Sequence, residues 1–240
     1  MGIVGYMKNI FSPARNLLTE VPKEEFHIHT VYSDGKNTIE EYVSKALKER
    51  FTSICFTEHV DFTTDWFDRY HDNIRRVNDC ESLNVYCGIE VRAKDYQGQL
   101  NADKYLLRES DILMGVIHRI PSEDGLDACE ARFIPPEDVL ELEYRATMGL
   151  LKSNEIDILG HPMSNYEKNF KEAPIDCYQK IFHMARKKDV AVELNPKYHR
   201  NFAEVLKLTL EVNPLVSLGS NAHLVSEFGR SFTKVSELVE

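Results

Sequence analysis

The sequence predicts a single α/β domain built on a parallel sheet or barrel, and three observations predict it. Short apolar or β-branched runs recur seven times along the 240 residues. Most are near-continuously apolar, as strands buried on both faces must be. Amphipathic helical patterns separate several of them, with no linker or compositional break between.

In order along the chain, residues 1–22 are expected to form a short leader with one amphipathic turn on the body. "MGIVGYMKNIFSPARNLL" has no apolar run suited to a signal or membrane segment, and Tyr6 fails the Ser/Thr requirement of a myristoylation motif. The domain then covers 23–240. "EEFHIH" (24–29) is the first strand. "TIEEYVSKALKER" follows as a helix, with Thr38 and Glu41 spaced as a capping box and Ile39, Tyr42, Val43, Ala46 and Leu47 forming one stripe. "SICFTEH" (53–59) is the second strand, and residues 60–72, rich in aromatics and aspartates, read as a long loop. "NVYCGIEV" (84–91) and "DILMGVIH" (111–118) are the third and fourth strands, the latter followed by a second long loop at 119–136. "PPEDVLELEYRATMGLLKSN" starts as a helix does, with prolines and then acidic residues. "IDILGH" (156–161) is the fifth strand. "IDCYQKIFHMARKK" places Tyr178, Ile181, Phe182 and Ala185 on one helical face. "VAVELN" (190–195), the helix "NFAEVLKLTLEVN", "VSLGSNAH" (216–223) and a last helix over 224–239 complete the pattern.

Composition narrows the function. The chain carries 29 Lys plus Arg against 39 Asp plus Glu, a net charge of −10. That balance argues against broad nucleic-acid binding, which needs a basic footprint, and leaves room for a small site made positive by bound cations. Five cysteines (Cys55, Cys80, Cys87, Cys129 and Cys177) are odd in number and form no C-x-x-C pair. They point to a reduced, cytoplasmic setting, with Cys55 and Cys87 as small core residues.

The chemistry lies in where the histidines fall. In "FHIHTVYSDG" (26–35), His27 and His29 are two apart on a strand and project to one side, so both can reach one metal ion. Asp34 follows. The second strand closes on Glu58-His59, the third on Glu90, the fourth on His118, the fifth on His161, the sixth on Asn195 and the seventh on Asn221 and His223. A barrel brings the carboxyl ends of its strands to one face. Since one divalent ion takes three or four protein ligands, this set suffices for two or three ions. A lone histidine after a strand is ordinarily a loop or core hydrogen-bonder, and His71 and His183 take that reading. His199 is placed to reach a substrate.

The ordered motifs "HIHTVYSDG", "FTEH", "GIE", "GVIH", "LGHP", "VELN" and "SNAH" resemble those of the PHP superfamily, named for polymerase and histidinol phosphatase. The resemblance implies a distorted (β/α)7 barrel with a trinuclear centre of zinc, iron or manganese. Residue by residue, it implies a first ion on His27, His29, Glu90 and position 221. It implies a second on Glu90, His118 and His161, and a third on Asp34, His59 and His223. The family usually has aspartate where this chain has Asn221. Chains of this size resemble histidinol-phosphatase-type phosphoesterases, in which a short stretch after "ELN" ends in an arginine that touches phosphate. Here Arg200 stands at that spacing, with Lys197 and His199 beside it, and Arg119 and Arg92 are further phosphate-binding candidates.

The expected activity is hydrolysis of a small phosphomonoester. A hydroxide bridging two ions would attack phosphorus, because coordination lowers the pKa of water to about 7. Asp34 or His223 would assist the leaving group. The alternatives are a phosphodiesterase or 3′–5′ exonuclease acting on nucleotides, and a weakly active or silent metal-binding domain. A small phosphorylated substrate is expected, with no membrane partner.

Overall fold

The computed structural model describes residues 10–78, 82–153 and 155–240. Its framework is an eight-stranded sheet of β1 (Ser12–Pro13), β2 (Glu24–Ile28), β3 (Ser53–His59), β4 (Asn84–Arg92), β5 (Ile112–Val116), β8 (Ile158–Leu159), β9 (Ala191–Leu194) and β10 (Leu215–Leu218). A separate hairpin, β6 (Ile120–Pro121) with β7 (Ala128–Cys129), lies in the expected 119–136 loop. The order is β1-β10-β9-β8-β5-β4-β3-β2, parallel throughout except that β1 pairs antiparallel with β10. All seven expected strands are present.

The two ends of this sheet meet. Ile28 and Ala222 form an isolated parallel bridge, with His29 N–H donating to Ala222 O (2.9 Å) and Ala222 N–H to His27 O (3.0 Å). The sheet curls as a distorted barrel whose two ends touch at this one bridge, at the carboxyl ends of the strands, and this lays His27 and His29 beside Asn221 and His223.

Among the described residues eight α-helices accompany the strands: α1 (Ile39–Glu49), α2 (Phe67–Val77), α3 (Lys104–Glu109), α4 (Pro136–Ser153), α5 (Ser164–Phe170), α6 (Ile175–Lys188), α7 (Phe202–Val212) and α8 (Arg230–Val239). The capping box of α1 forms as its sequence predicts. Thr38 N–H donates to Glu41 Oε2 (2.7 Å) and Glu41 N–H to Thr38 Oγ1 (3.4 Å). α1 buries Ile39, Tyr42 and Ala46, and α6 buries Tyr178, Ile181, Phe182 and Ala185. A smaller apolar cluster of Phe26, Cys55, Met114, Ile158 and Ala191 joins five strands.

Four local expectations change. The 60–72 stretch is not all loop, because α2 starts at Phe67 and buries Phe67, Tyr70 and Ile74, so His71 is helical. α3 and α5, six and seven residues long, are too short to show a 3.6-residue period. The 224–239 segment is broken: a 3₁₀ turn at Val225–Glu227 precedes α8, with Gly229 between them at φ 76°. Part of the expected leader joins the sheet as β1, and the turn Ala14–Leu18 buries Ala14 and Leu17; residues 1–9 lie outside the described residues. Cys55 and Cys87 are buried as expected, and Cys80 lies outside the described residues. No helix among the described residues is long and apolar enough to cross a membrane.

Candidate metal centre

Strand register assembles the centre. Parallel pairing of β3 with β4 sets His59 directly beside Glu90, and the Ile28–Ala222 bridge supplies the facing wall. Glu90 is buried and surrounded by imidazoles. Its Oε1 lies 3.0 Å from His161 Nε2, 3.2 Å from His118 Nε2 and 3.4 Å from His27 Nε2. Its Oε2 lies 2.7 Å from His59 Nδ1 and 3.5 Å from His29 Nε2. Asp34 stands at the rim, 3.2 Å from His223 Nε2 and 3.6 Å from His59 Nε2. Gly35 makes this approach possible, since a Cβ there would overlap the His29 carbonyl.

Donor atoms gather in four overlapping groups, each within 4.8 Å: His29–Asp34–His59–His223, His27–His29–Glu90, His59–Glu90–His118 and His27–His161–Glu193. These share members differently from the three sets the resemblance implies. His29 also joins the Asp34 group, and His161 stands with His27 and Glu193 as well as with Glu90.

The donors fit divalent cations. His29 Nδ1 and Asn221 Oδ1 are buried without a hydrogen-bond partner. An unmade hydrogen bond at a buried polar atom costs about 1–3 kcal/mol. His27 Nε2 and His29 Nε2 lie 3.1 Å apart, so their lone pairs repel unless a proton or a cation stands between them. Nitrogen and carboxylate donors on this scale suit zinc, iron or manganese.

A supporting layer fixes the rings. Glu193, which the sequence reading passed over, accepts from His27 Nδ1 (2.6 Å), His161 N–H (2.6 Å) and Asn195 Nδ2 (3.0 Å). Its signal was its place two residues before Asn195, on the same side of the strand. His161 Nδ1 pairs with Ser164 Oγ (3.0 Å), and His223 Nδ1 faces Asn221 O (3.1 Å). Each contact commits Nδ1 and turns Nε2 toward the centre. Glu58 accepts from Thr30 N–H (2.8 Å), Thr30 Oγ1 (2.6 Å) and Ser33 Oγ (2.5 Å), holding the loop that carries Asp34.

Charge interactions decide the protonation of the cluster. Burial would lower His27, but Glu193 and Glu90 outweigh it and raise its pKa to about 10. Burial is likewise overcome at His59, which Glu90 and Asp34 raise to about 10. Glu90 is fully buried, which favours its neutral form, yet His118, His59 and His27 hold it well below the carboxylate range. Asp34 is lowered by its hydrogen bonds to His223 and His59. His29 and His161 are lowered, chiefly by burial.

Above the centre opens a pocket of about 310 Å³ lined by Asp34, His59, His118, Lys197, Tyr198, Asn221 and His223. A larger cavity, about 580 Å³, lies at the opposite ends of the strands against Lys23, Glu24 and Thr52, and its lining contains no histidine. Of the five substrate-binding candidates, Lys197 lines the pocket. His199 does not reach it: the ring is buried, with Nδ1 3.0 Å from Tyr178 Oη and Nε2 3.3 Å from Glu193 O. Arg200 is exposed, its N–H donating to Glu167 Oε2 (2.5 Å), and neither it, Arg92 nor Arg119 is in the lining. Arg92 instead feels Asp61, Asp127 and the like charge of Arg119. Tyr198, which the sequence reading did not single out, is in the lining.

Parallel strands that gather six imidazoles and three carboxylates at one end of a distorted barrel define a barrel metallohydrolase. Residues 25–197 match the family described as PHP domain, and the chain belongs to that family. A protein named "Probable phosphatase" from Caldicellulosiruptor saccharolyticus is 27% identical over 216 residues, covering 86% of this chain and 82% of its own. The "Probable histidinol-phosphatase" of Clostridium acetobutylicum is 25% identical, covering 89% and 91%. The fold is shared with histidinol phosphate phosphatase from Lactococcus lactis, solved with zinc, L-histidinol and phosphate. That comparison gives a TM-score of 0.62 at 17% identity over 90% of this chain and 92% of that one.

Proposed function

We propose that the chain is a metal-dependent phosphatase that hydrolyses a small phosphomonoester of the histidinol-phosphate type. The observation that carries this reading is the buried Glu90 within 3.5 Å of five imidazoles, beneath a small pocket bearing Lys197. His27, His29, Asp34, His59, Glu90, His118, His161, Asn221 and His223 would hold two or three divalent ions. When bound, such ions lower the pKa of water and neutralise phosphoryl charge. Glu193 keeps His27 Nδ1 occupied so that Nε2 serves as donor. Lys197, at the rim, attracts the phosphate dianion. A water held by Asp34 or His223, at the solvent-open side of the pocket, would supply the proton to the departing alkoxide.

The size of the pocket and its single lysine favour a monoester over a polynucleotide, whose backbone requires a basic track. The test is a substrate panel of histidinol phosphate, nucleoside monophosphates and short oligonucleotides with manganese-loaded protein, beside elemental analysis of metal. The expected result is two or more ions per chain and turnover confined to monoesters. Less than one ion per folded, unstripped chain, or turnover of oligonucleotides alone, would overturn the reading.

A further inference from the structure

The segment after β9 brings a phenol over the metal centre. The Tyr198 ring lies 4.6 Å from the His161 ring, centroid to centroid, and forms part of the pocket wall. Asn221 Nδ2 donates to Tyr198 Oη at 3.1 Å, while Asn221 Oδ1 is buried and without a hydrogen-bond partner. The opposite amide orientation would aim two N–H donors at a site built for cations, so the phenol oxygen is the natural acceptor for Nδ2. A phenol has a single hydrogen to donate. Having accepted from Asn221, Tyr198 keeps that hydrogen for another partner, and none is found among the described residues. A carboxylate at position 221 would act in reverse: it donates nothing and would draw the phenol hydrogen to itself. Amide and carboxylate at this one position therefore set opposite directions for the phenol.

We propose that Tyr198 is a substrate-binding residue whose O–H, left free by Asn221, donates to a phosphoryl oxygen in the pocket. This rests on the phosphatase reading above and adds a specific recognition contact to it. Lys197 stands on the same side, with Nζ 3.3 Å from Asn221 O and 5.6 Å from the Tyr198 ring centroid. A cation and a neutral O–H donor side by side suit the dianionic head of a phosphomonoester.

The experiment is a double-mutant cycle on the full manganese-loaded chain, read as binding of inorganic phosphate by calorimetry, with metal content measured at saturating manganese. Tyr198→Phe is expected to weaken phosphate binding about tenfold or more, as loss of a hydrogen bond to a charged group does, with manganese content unchanged. In the Asn221→Asp background the same substitution should change phosphate affinity by less than about twofold, because the phenol is already engaged. A merely structural role for the ring against His161 would give the same loss in both backgrounds. Equal losses, or no loss in either, overturn the role of the phenol while the phosphatase reading stands. Wild-type protein that is metal-loaded yet neither binds phosphate nor hydrolyses a monoester overturns both.

Discussion

At Glu90 two large effects oppose each other, and the result governs the site. Complete burial favours the neutral acid, but five imidazoles between 2.7 and 3.5 Å favour the anion, and the imidazoles win. The same contest at His27 makes Glu193 a controlling residue, although it lies outside the sequence-derived set. Glu193→Gln retains an acceptor and removes the charge. It should lower metal affinity by roughly 10- to 100-fold, as disturbing an outer-shell partner does, and metal titration with equal midpoints for both proteins would contradict this. The imidazoles also predict a pH dependence for chelator-stripped protein. His27 and His59 have folded pKa values of about 10, above the ordinary histidine value of 6.5. Their contribution is therefore complete below pH 6.5 and lost as pH rises toward 10. Burial raises Glu25 and Glu143 to about 7 and Glu24 to about 8, which adds a loss of the same sign up to pH 8. Melting temperature should fall steadily from pH 6.5 to 10 without metal. With saturating metal the slope should flatten, since ions replace those protons. A stripped protein that gained stability over this range would refute the coupling.

Elements differ in how much of themselves they wrote into the sequence. The seven parallel strands were legible because most are near-continuously apolar and most end in an imidazole, carboxylate or amide. α1, α4, α6 and α7 were legible from a buried stripe or a terminus signal. α2 was not, because Asp68, Arg69, Asp72, Arg75 and Arg76 surround a stripe of only Phe67, Tyr70 and Ile74. α3 and α5 span two turns or fewer. In the site, residues that project from strand ends were readable, while contacts from loops depended on tertiary placement. Thus Arg200 matched a spacing, with Lys197 and His199 beside it, yet of these the turn after Asn195 presents only Lys197 to the pocket, together with the unforeseen Tyr198. The turn after β10 makes a further demand. A Cβ at Gly219 would overlap Glu193 Oε1 and approach His27 Cβ to 2.8 Å. Gly219→Ala must therefore push Glu193 from His27 or part β10 from β2. The expected cost is about 1–3 kcal/mol, the range for overpacking a core, together with weaker metal binding. Unchanged thermal stability and metal content would show that the strand ends are more pliant than this contact implies.

For the whole molecule, the metal centre and the closure of the barrel occupy the same place. Five parallel strands lie between β2 and β10 on one side, but among the described residues the return from β10 to β2 is a single bridge, Ile28 to Ala222. Immediately beyond that bridge stand His29 on one side and Asn221 and His223 on the other. An ion shared between them would tie the two ends of the sheet where backbone pairing is thinnest. Donor atoms assembled only in the folded chain make metal affinity a contribution to folding. At free metal a thousandfold above its dissociation constant, one ion stabilises the fold by about 4 kcal/mol. For a protein of this size each kcal/mol moves the melting temperature by about 2–4 °C. Chelation should thus lower the midpoint by about 8–16 °C per ion removed at that excess, and readdition of manganese or zinc should restore it. The loss should appear as one shifted cooperative transition, because strands from both ends of the sheet supply the donors. A metal-free chain melting at the same temperature as the loaded one would mean that the single bridge suffices to close the barrel and that the donors do not bind ions tightly. A separate early transition limited to the 220s would mean that the centre closes a local loop and not the sheet. Calorimetry with and without chelator distinguishes these outcomes.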